Sequence, residues 1–276
     1  MQHNSELTRY NFWLITANST AAFVIAYLLI YYIDHFVKIF LAGSFGYHIG
    51  FDWHSIYYYI EPHEWTHDSV KLIYSGGPLL IFLTGIISMV AFWSIVLEHA
   101  RIKVLLLWIS IHAFNFFFGG LLIGNIFKQG IGHVFNWLYL SDTSKMIVAL
   151  IGFMGLLGTS YLMSKPVAIA ANTYFNKLGD RNFPFYIIAQ IIVPFVIGTA
   201  ICLIYFYPFT YFQELYSWIS LTLILIFISL RIAKMKTQYF DEDKRTIGLS
   251  PILITSSIIL LIIIRTLLNN EILITW

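Results

Sequence analysis

Five consecutive residues, His63-Glu64-Trp65-Thr66-His67, have the types and spacing of a zinc-binding motif. On a helix, two histidines four positions apart point to the same face and bind zinc together, while the glutamate between them activates a zinc-bound water. Pro62 directly precedes the motif and is favoured in the first turn of a helix, which predicts helical spacing for the five residues. The predicted metal ligands are therefore His63 and His67, and the predicted catalytic residue is Glu64.

A catalytic zinc site needs a third protein ligand. The candidates are His133, Asp142, His54 and Asp52. We favour His133, because the segment Gly130-Ile131-Gly132-His133 places little side-chain bulk around the imidazole. The same histidines and carboxylates could instead form a structural ion clamp between two connecting segments, without chemistry. The cofactor that the motif implies is zinc.

With its later glycines, the motif resembles the site-2-protease type of membrane metallopeptidase. In that family an H-E-x-x-H helix is followed by a glycine-proline element and later by an Asn-rich span that carries an aspartate ligand, and this chain has no aspartate beside Asn115. The matching residues here are His63, Glu64 and His67, then Gly77-Pro78, then Asn115 with Gly119-Gly120. The resemblance covers about 60 residues. It implies zinc-dependent peptide hydrolysis within the membrane.

A second group of polar residues lies inside an apolar run. His112 is near the middle of that run, and Ser110 and Asn115 are close enough in sequence to supply hydrogen bonds. An ionisable residue within a membrane span faces protein or a water-filled cavity, and it commonly marks a transport pathway. The alternatives are a neutral histidine bonded inside the bundle and a histidine that relays protons or binds a ligand.

The elements that must position these residues follow from composition. The 276 residues are 59% hydrophobic and only 11% charged, too apolar for a soluble domain. The predicted fold class is all-α, a single integral membrane domain over residues 1–276 with about seven transmembrane helices. Pro194 is expected to kink the fifth span and to require a compensating neighbour. The seven predicted spans are 12–33, 78–97, 104–124, 146–163, 185–207, 216–233 and 251–268.

The basic residues predict the orientation of these spans, because Lys and Arg concentrate in cytoplasmic connections. Five of them fall on one side: Lys38, Lys71, Lys128, Lys145 and Arg265. The other eleven fall on the opposite side: Arg9, Arg101, Lys103, Lys165, Lys177, Arg181, Arg231, Lys234, Lys236, Lys244 and Arg245. The N-terminus is therefore predicted to be cytoplasmic and the C-terminus extracytoplasmic.

This orientation places a long, aromatic and His-rich loop, residues 34–77, outside the cell. Trp53 and Trp65 are its candidate partner-binding residues, since exposed aromatic residues suit protein interfaces. The favoured function is a noncatalytic membrane subunit or scaffold whose outer loop docks a membrane or periplasmic protein. The alternatives are the zinc metallopeptidase and a small-solute or proton transporter that uses His112.

The partners and the location follow from the same composition. The lipid bilayer is one partner, and nucleic acid is excluded because the formal net charge is only +2 and the basic residues are scattered. The high content of Phe, Tyr, Ile and Asn fits a low-GC bacterial genome, so the predicted location is a bacterial inner membrane.

Overall fold

The computed structural model describes residues 7–95, 100–208, 215–240 and 247–276, and these residues are mostly helical. Lys244 and Arg245 of the orientation argument lie outside this part of the chain, as do positions 96 and 97 of the second predicted span. The helices are α1 (Arg9–Ser44), α2 (His67–Ser94), α3 (Ala100–Phe114), α4 (Gly120–Phe127), α5 (Gly132–Trp137), α6 (Asp142–Ala170), α7 (Phe183–Ile187), α8 (Val193–Tyr205), α9 (Tyr216–Ile232) and α10 (Pro251–Leu267).

Five helical segments are long and apolar enough to cross a membrane. Two of these five are formed by two α-helices joined through a π-helical turn: α3 continues through Asn115–Gly119 into α4, and α7 continues through Ile188–Ile192 into α8. The five segments match five of the predicted spans, so the multi-pass helical class is confirmed. The two other predicted spans form α9 and α10, which have 17 residues each.

The helix α1 is longer than the predicted first span. It runs for 36 residues and continues past Asp34 to Ser44, while α2 already begins at His67. The segment between these two α-helices is therefore 45–66, which is shorter than the predicted loop of 34–77. The charge of Asp34 does not end the helix because Lys38, one turn later, lies 2.5 Å from its carboxylate.

The fifth predicted span is irregular where the sequence places Pro194. This residue is at the start of α8, directly after the π-helical turn, and it has no N–H to donate to the carbonyl of Gln190. That carbonyl accepts a hydrogen bond of 2.6 Å from Ser19 Oγ of α1 instead. Thr16 Oγ1 donates to the neighbouring Ala189 carbonyl. The expected compensating neighbour is thus α1.

Two small sheets lie at opposite ends of α1. Beyond its C-terminal end, strands β1 (Ile49–Phe51), β2 (Ile56–Tyr58) and β5 (Ile272–Ile274) form an antiparallel sheet in the order β2-β1-β5. Near its N-terminal end, β3 (Lys177–Leu178) pairs with β4 (Gln238–Tyr239), and Leu7 lines a cavity beside them. The helices between these strands therefore connect one end of the bundle to the other.

Candidate functional site: the cap

Residues 45–66 and 268–276 form a folded cap over one end of the bundle. Its centre is β1, which pairs with β2 on one side and with β5 on the other. The pairing joins Gly50 to Leu273, more than 200 positions later in the chain. The segment that the sequence predicts as a loop is therefore an ordered structure built from two distant parts of the chain.

Tyrosine hydroxyls fix the cap to the helices below it. Tyr31 of α1 donates to the His54 carbonyl at 2.5 Å, and its neighbour Tyr32 donates to the Trp53 carbonyl at 2.7 Å. Within the cap, the Tyr47 hydroxyl lies 2.9 Å from both the Glu64 carbonyl and the Ser69 hydroxyl at the start of α2. The cap backbone is thereby held to both α1 and α2.

The indole of Trp53 belongs to the interior of the protein. It is only 6% exposed, and the Arg265 guanidinium of α10 lies 3.4 Å from the ring centroid, a cation–π contact. The rings of Tyr205 and Phe206 complete its surroundings. A docking role for Trp53 does not fit this burial, because the ring is already covered by the chain's own residues.

Trp65 is half-buried in a separate aromatic cluster. Its ring centroid lies 5.2 Å from that of Tyr58, 5.4 Å from that of Tyr47 and 6.0 Å from that of Tyr74. These residues come from the cap and from α2, so Trp65 packs the cap against the second helix. Part of its surface stays accessible beside the exposed turn that precedes it.

One exposed part of the cap, together with the first two residues of α2, is a polar ridge, which we define as Tyr59, Glu61, Pro62, His63, Glu64, Thr66, His67 and Asp68. Its turn is built by two carboxylates: the Glu61 side chain accepts from the Glu64 N–H, and Glu64 Oε2 accepts from the Glu61 N–H at 2.7 Å. The Tyr59 hydroxyl donates to Glu271 Oε1 at 2.6 Å. The ridge is therefore both exposed and ordered.

The predicted helix through the H-E-x-x-H motif is absent. Pro62–Glu64 form a single 3₁₀ turn, Trp65 and Thr66 are extended, and His67 begins α2. The backbone changes direction between His63 and His67, so the two imidazoles do not occupy one face of one helix. Thr66 is the N-cap of α2, since its hydroxyl accepts from the Ser69 N–H. Glu64 stabilises the 3₁₀ turn, because its carboxylate accepts a hydrogen bond from the Glu61 N–H.

The favoured third ligand, His133, lies in α5. Its ring packs against Tyr74, with centroids 4.9 Å apart, while the ring of His67 faces Trp137 and Tyr139. Burial lowers the pKa of His133, and the Lys38 ammonium lowers it further. In the described part of the chain, no three His, Cys, Asp or Glu side chains are grouped closely enough to hold a metal ion.

The other candidate ligands have structural partners. Asp52 Oδ1 accepts from the backbone N–H groups of His54 and Ser55, both at 2.8 Å, and Asp52 Oδ2 accepts from the Tyr57 hydroxyl. This network closes the turn between β1 and β2. Asp142, in the first turn of α6, lies 3.8 Å from Lys145. The carboxylate of Asp52 therefore stabilises the cap.

Asp34 and Lys38 form an ion pair that is not among the predicted site residues. Asp34 is 3% exposed, and its second oxygen, Oδ1, has no hydrogen-bond partner among the described residues and packs on Gly77 of α2. The available signal was the spacing of four between opposite charges inside an apolar run. This pair lies below the cap, close to the contact between α1 and α2.

His112 and Asn115 are buried inside the bundle, as the sequence indicates. The His112 ring is enclosed by Phe23, Tyr27 and Trp108, and its Nε2 has no hydrogen-bond partner among the described residues. Asn115 donates to the Ser217 carbonyl and accepts from the Ser220 hydroxyl of α9. Asn115 therefore joins the third span to α9, and aromatic packing dominates around His112.

Comparisons of the chain with protein-family models, with curated proteins and with solved structures gave no significant match. The resemblance to site-2 proteases stays a prediction.

Proposed function

We propose that the protein is a noncatalytic subunit or scaffold of a bacterial inner membrane, and that the ridge of its cap docks an extracytoplasmic partner. The observation that carries this proposal is the combination of exposure and order in the ridge. Its turn is fixed by two hydrogen bonds from backbone N–H groups to the Glu61 and Glu64 side chains, and the cap beneath it is hydrogen-bonded to α1 and α2. Such a surface loses little conformational entropy when a partner binds.

The proposed topology has seven spans, with residue 9 on the cytoplasmic side and the cap outside. Strand pairing supports an odd number, because β5 lies beside β1, at the end of α1 that is remote from residue 9. Strand β4 lies beside β3 at the other end, so α10 has to connect the two ends. The distribution of Lys and Arg supports the cap as the extracytoplasmic face.

The chemistry of the ridge favours a basic partner segment. Glu61 and Glu64 have no Lys or Arg within salt-bridge distance among the described residues, whereas Asp68 lies 2.9 Å from Lys71. Complementary charge would attract and orient a partner that carries Lys or Arg. We therefore expect the partner to be a membrane or periplasmic protein with a basic extracytoplasmic segment.

Photo-cross-linking in intact cells tests this function. A photo-reactive amino acid at His63, on the ridge, should give a discrete cross-linked species, while the same group at Leu267, on an exposed apolar face of α10, should not. The double variant E61Q/E64Q keeps oxygen acceptors for the turn and removes both charges. We expect it to lower the yield at His63 severalfold, because the charges steer the encounter.

Asp142→Asn is the matched control, since its side chain is 96% exposed and lies on the same side of the bundle. It should leave the yield at His63 unchanged. A yield that does not respond to E61Q/E64Q, or the absence of any cross-linked species at native expression, would contradict docking through the ridge.

A further inference from the structure

A cavity of about 240 Å³ lies at the end of the bundle opposite the cap. It opens where the chain before α1 meets the connection after α6 and strand β4. Most side chains that line it can donate hydrogen bonds: Asn176, Lys177, Arg181, Asn182, Thr237 and Tyr239. Asp180 is the only acidic residue in the described lining. The cavity therefore has the donors that an anion requires.

The loop that presents these donors has a defined shape. Asn182 Oδ1 accepts from the Gly179 N–H at 2.8 Å, and Asn182 Nδ2 donates to the Lys177 carbonyl at 2.5 Å. The backbone closes the same turn, because the N–H groups of Asn182 and Phe183 both donate to the Gly179 carbonyl. Pairing of Lys177 with Tyr239 joins the loop to β4. Lys177 and Arg181 therefore both belong to one hydrogen-bonded turn, residues 177–183.

The surroundings of the cavity are also basic. Arg9 is the first residue of α1, two positions after Leu7 in the lining, and Lys234 and Lys236 directly precede Thr237. Lys236 lines a smaller adjoining cavity that shares Gly179 and Asp180. The cavity lies where α1 begins and where α6 and α9 end, so it is at the level expected for lipid headgroups. Basic pockets between helices at the cytoplasmic surface bind anionic headgroups.

We propose that this cavity binds a phosphate-class anion, either the headgroup of an anionic phospholipid or free phosphate. Lys177 and Arg181 supply the positive charge, and the Asn176, Thr237 and Tyr239 side chains supply neutral donors around it. The volume accommodates a phosphate together with a small polar substituent. This site is separate from the ridge and does not depend on a docked partner.

Binding to the detergent-purified full-length chain tests the site. Native mass spectrometry would compare phosphatidylglycerol with phosphatidylcholine, and equilibrium dialysis would measure inorganic phosphate. The variant K177Q/R181Q should lower the affinity of the bound anion about tenfold or more, because two basic contacts are lost. The matched variant R9Q/K234Q also removes two positive charges, at residues near the cavity but outside its lining, and it should change the affinity little. Lys177→Gln alone provides a second variant if the double substitution disturbs the turn.

The outcomes are distinct. Preference for phosphatidylglycerol that is lost in K177Q/R181Q and kept in R9Q/K234Q supports the site with lipid as the source. Binding of inorganic phosphate with the same dependence, and no preference between the two lipids, supports the site with free phosphate as the source. Equal losses in both double variants would indicate general surface charge and overturn the proposal, as would the absence of any binding.

Discussion

The contact between Gly77 and Asp34 limits how closely α1 and α2 can approach each other. A Cβ added to Gly77 would overlap Asp34 Oδ1 and would lie 3.4 Å from the Asp34 Cα. Gly77→Ala should therefore push the helices apart or displace the carboxylate from Lys38. We expect a loss of about 1–3 kcal/mol of stability, the usual cost of overpacking. Thermal unfolding in detergent would measure it.

Gly158→Ala is the matched control for this substitution. It lies within α6, and an added Cβ meets no atom within 4 Å. It should be neutral or slightly stabilising, because alanine is the better helix former. If both variants lose the same stability, the contact with Asp34 is not the cause.

His112 permits a second prediction at the scale of one residue. Its Nε2 is buried without a hydrogen-bond partner among the described residues, in contact with aromatic rings. A buried, unpaired polar atom costs about 1–3 kcal/mol, so His112→Leu should keep or raise the unfolding temperature. A clear loss of stability would contradict this expectation.

Asp34 also shows why single residues mislead span prediction. A carboxylate normally ends an apolar run, and on that basis the sequence predicts that the first span ends at position 33. The carboxylate is buried because Lys38 lies against it and Gly77 makes room for it. The spacing of the two charges is visible in the sequence, but the approach of α2 is a tertiary contact. His112 and Asn115, in contrast, are buried as predicted because they lie deep inside an apolar run.

At the scale of elements, the H-E-x-x-H segment divides into a turn and a helix start. Because His63 and His67 belong to different elements, the double variant H63A/H67A should not change the zinc content of the purified protein. Elemental mass spectrometry of the wild type and the variant, both purified without chelator, measures this directly. Zinc near one per chain that disappears in the variant would refute our expectation and restore the metallopeptidase hypothesis.

The same segment shows the limit of local helix signals. Pro62 does begin a helical turn, as predicted, but Thr66 is a better N-cap and starts α2 anew at His67. Pro62 and Thr66 are both signals for the start of a helix, and the sequence alone does not show which of them begins the long helix. The burial of Trp53 could not be predicted for another reason. Its ring is covered by Arg265, which is more than 200 residues away in the chain, and no local sequence pattern indicates such a contact.

At the scale of the whole molecule, apolar runs in the sequence identify the helices, but the cap depends on a strand pairing between distant parts of the chain. The pairing of β5 with β1 joins residues 272–274 to the first connecting segment. Three-residue strands have almost no sequence signature, so the cap could not be predicted. The apolar runs could be recognised by composition alone, and five of the seven form helical segments long enough to cross a membrane.

The seven-span topology makes a prediction that cysteine labelling can check. Cys202 is the only native cysteine and is 1% exposed, so the wild type should give a low background with a membrane-impermeant maleimide. In intact spheroplasts, Tyr59→Cys in the cap and Leu273→Cys in β5 should both be labelled, because Tyr59 directly follows β2, which belongs to the same sheet as β5. Thr237→Cys, beside β4, should be labelled only after the membrane is permeabilised. Labelling of Tyr59→Cys and Thr237→Cys from the same side would contradict the topology, since opposite ends of one bundle would then face one compartment.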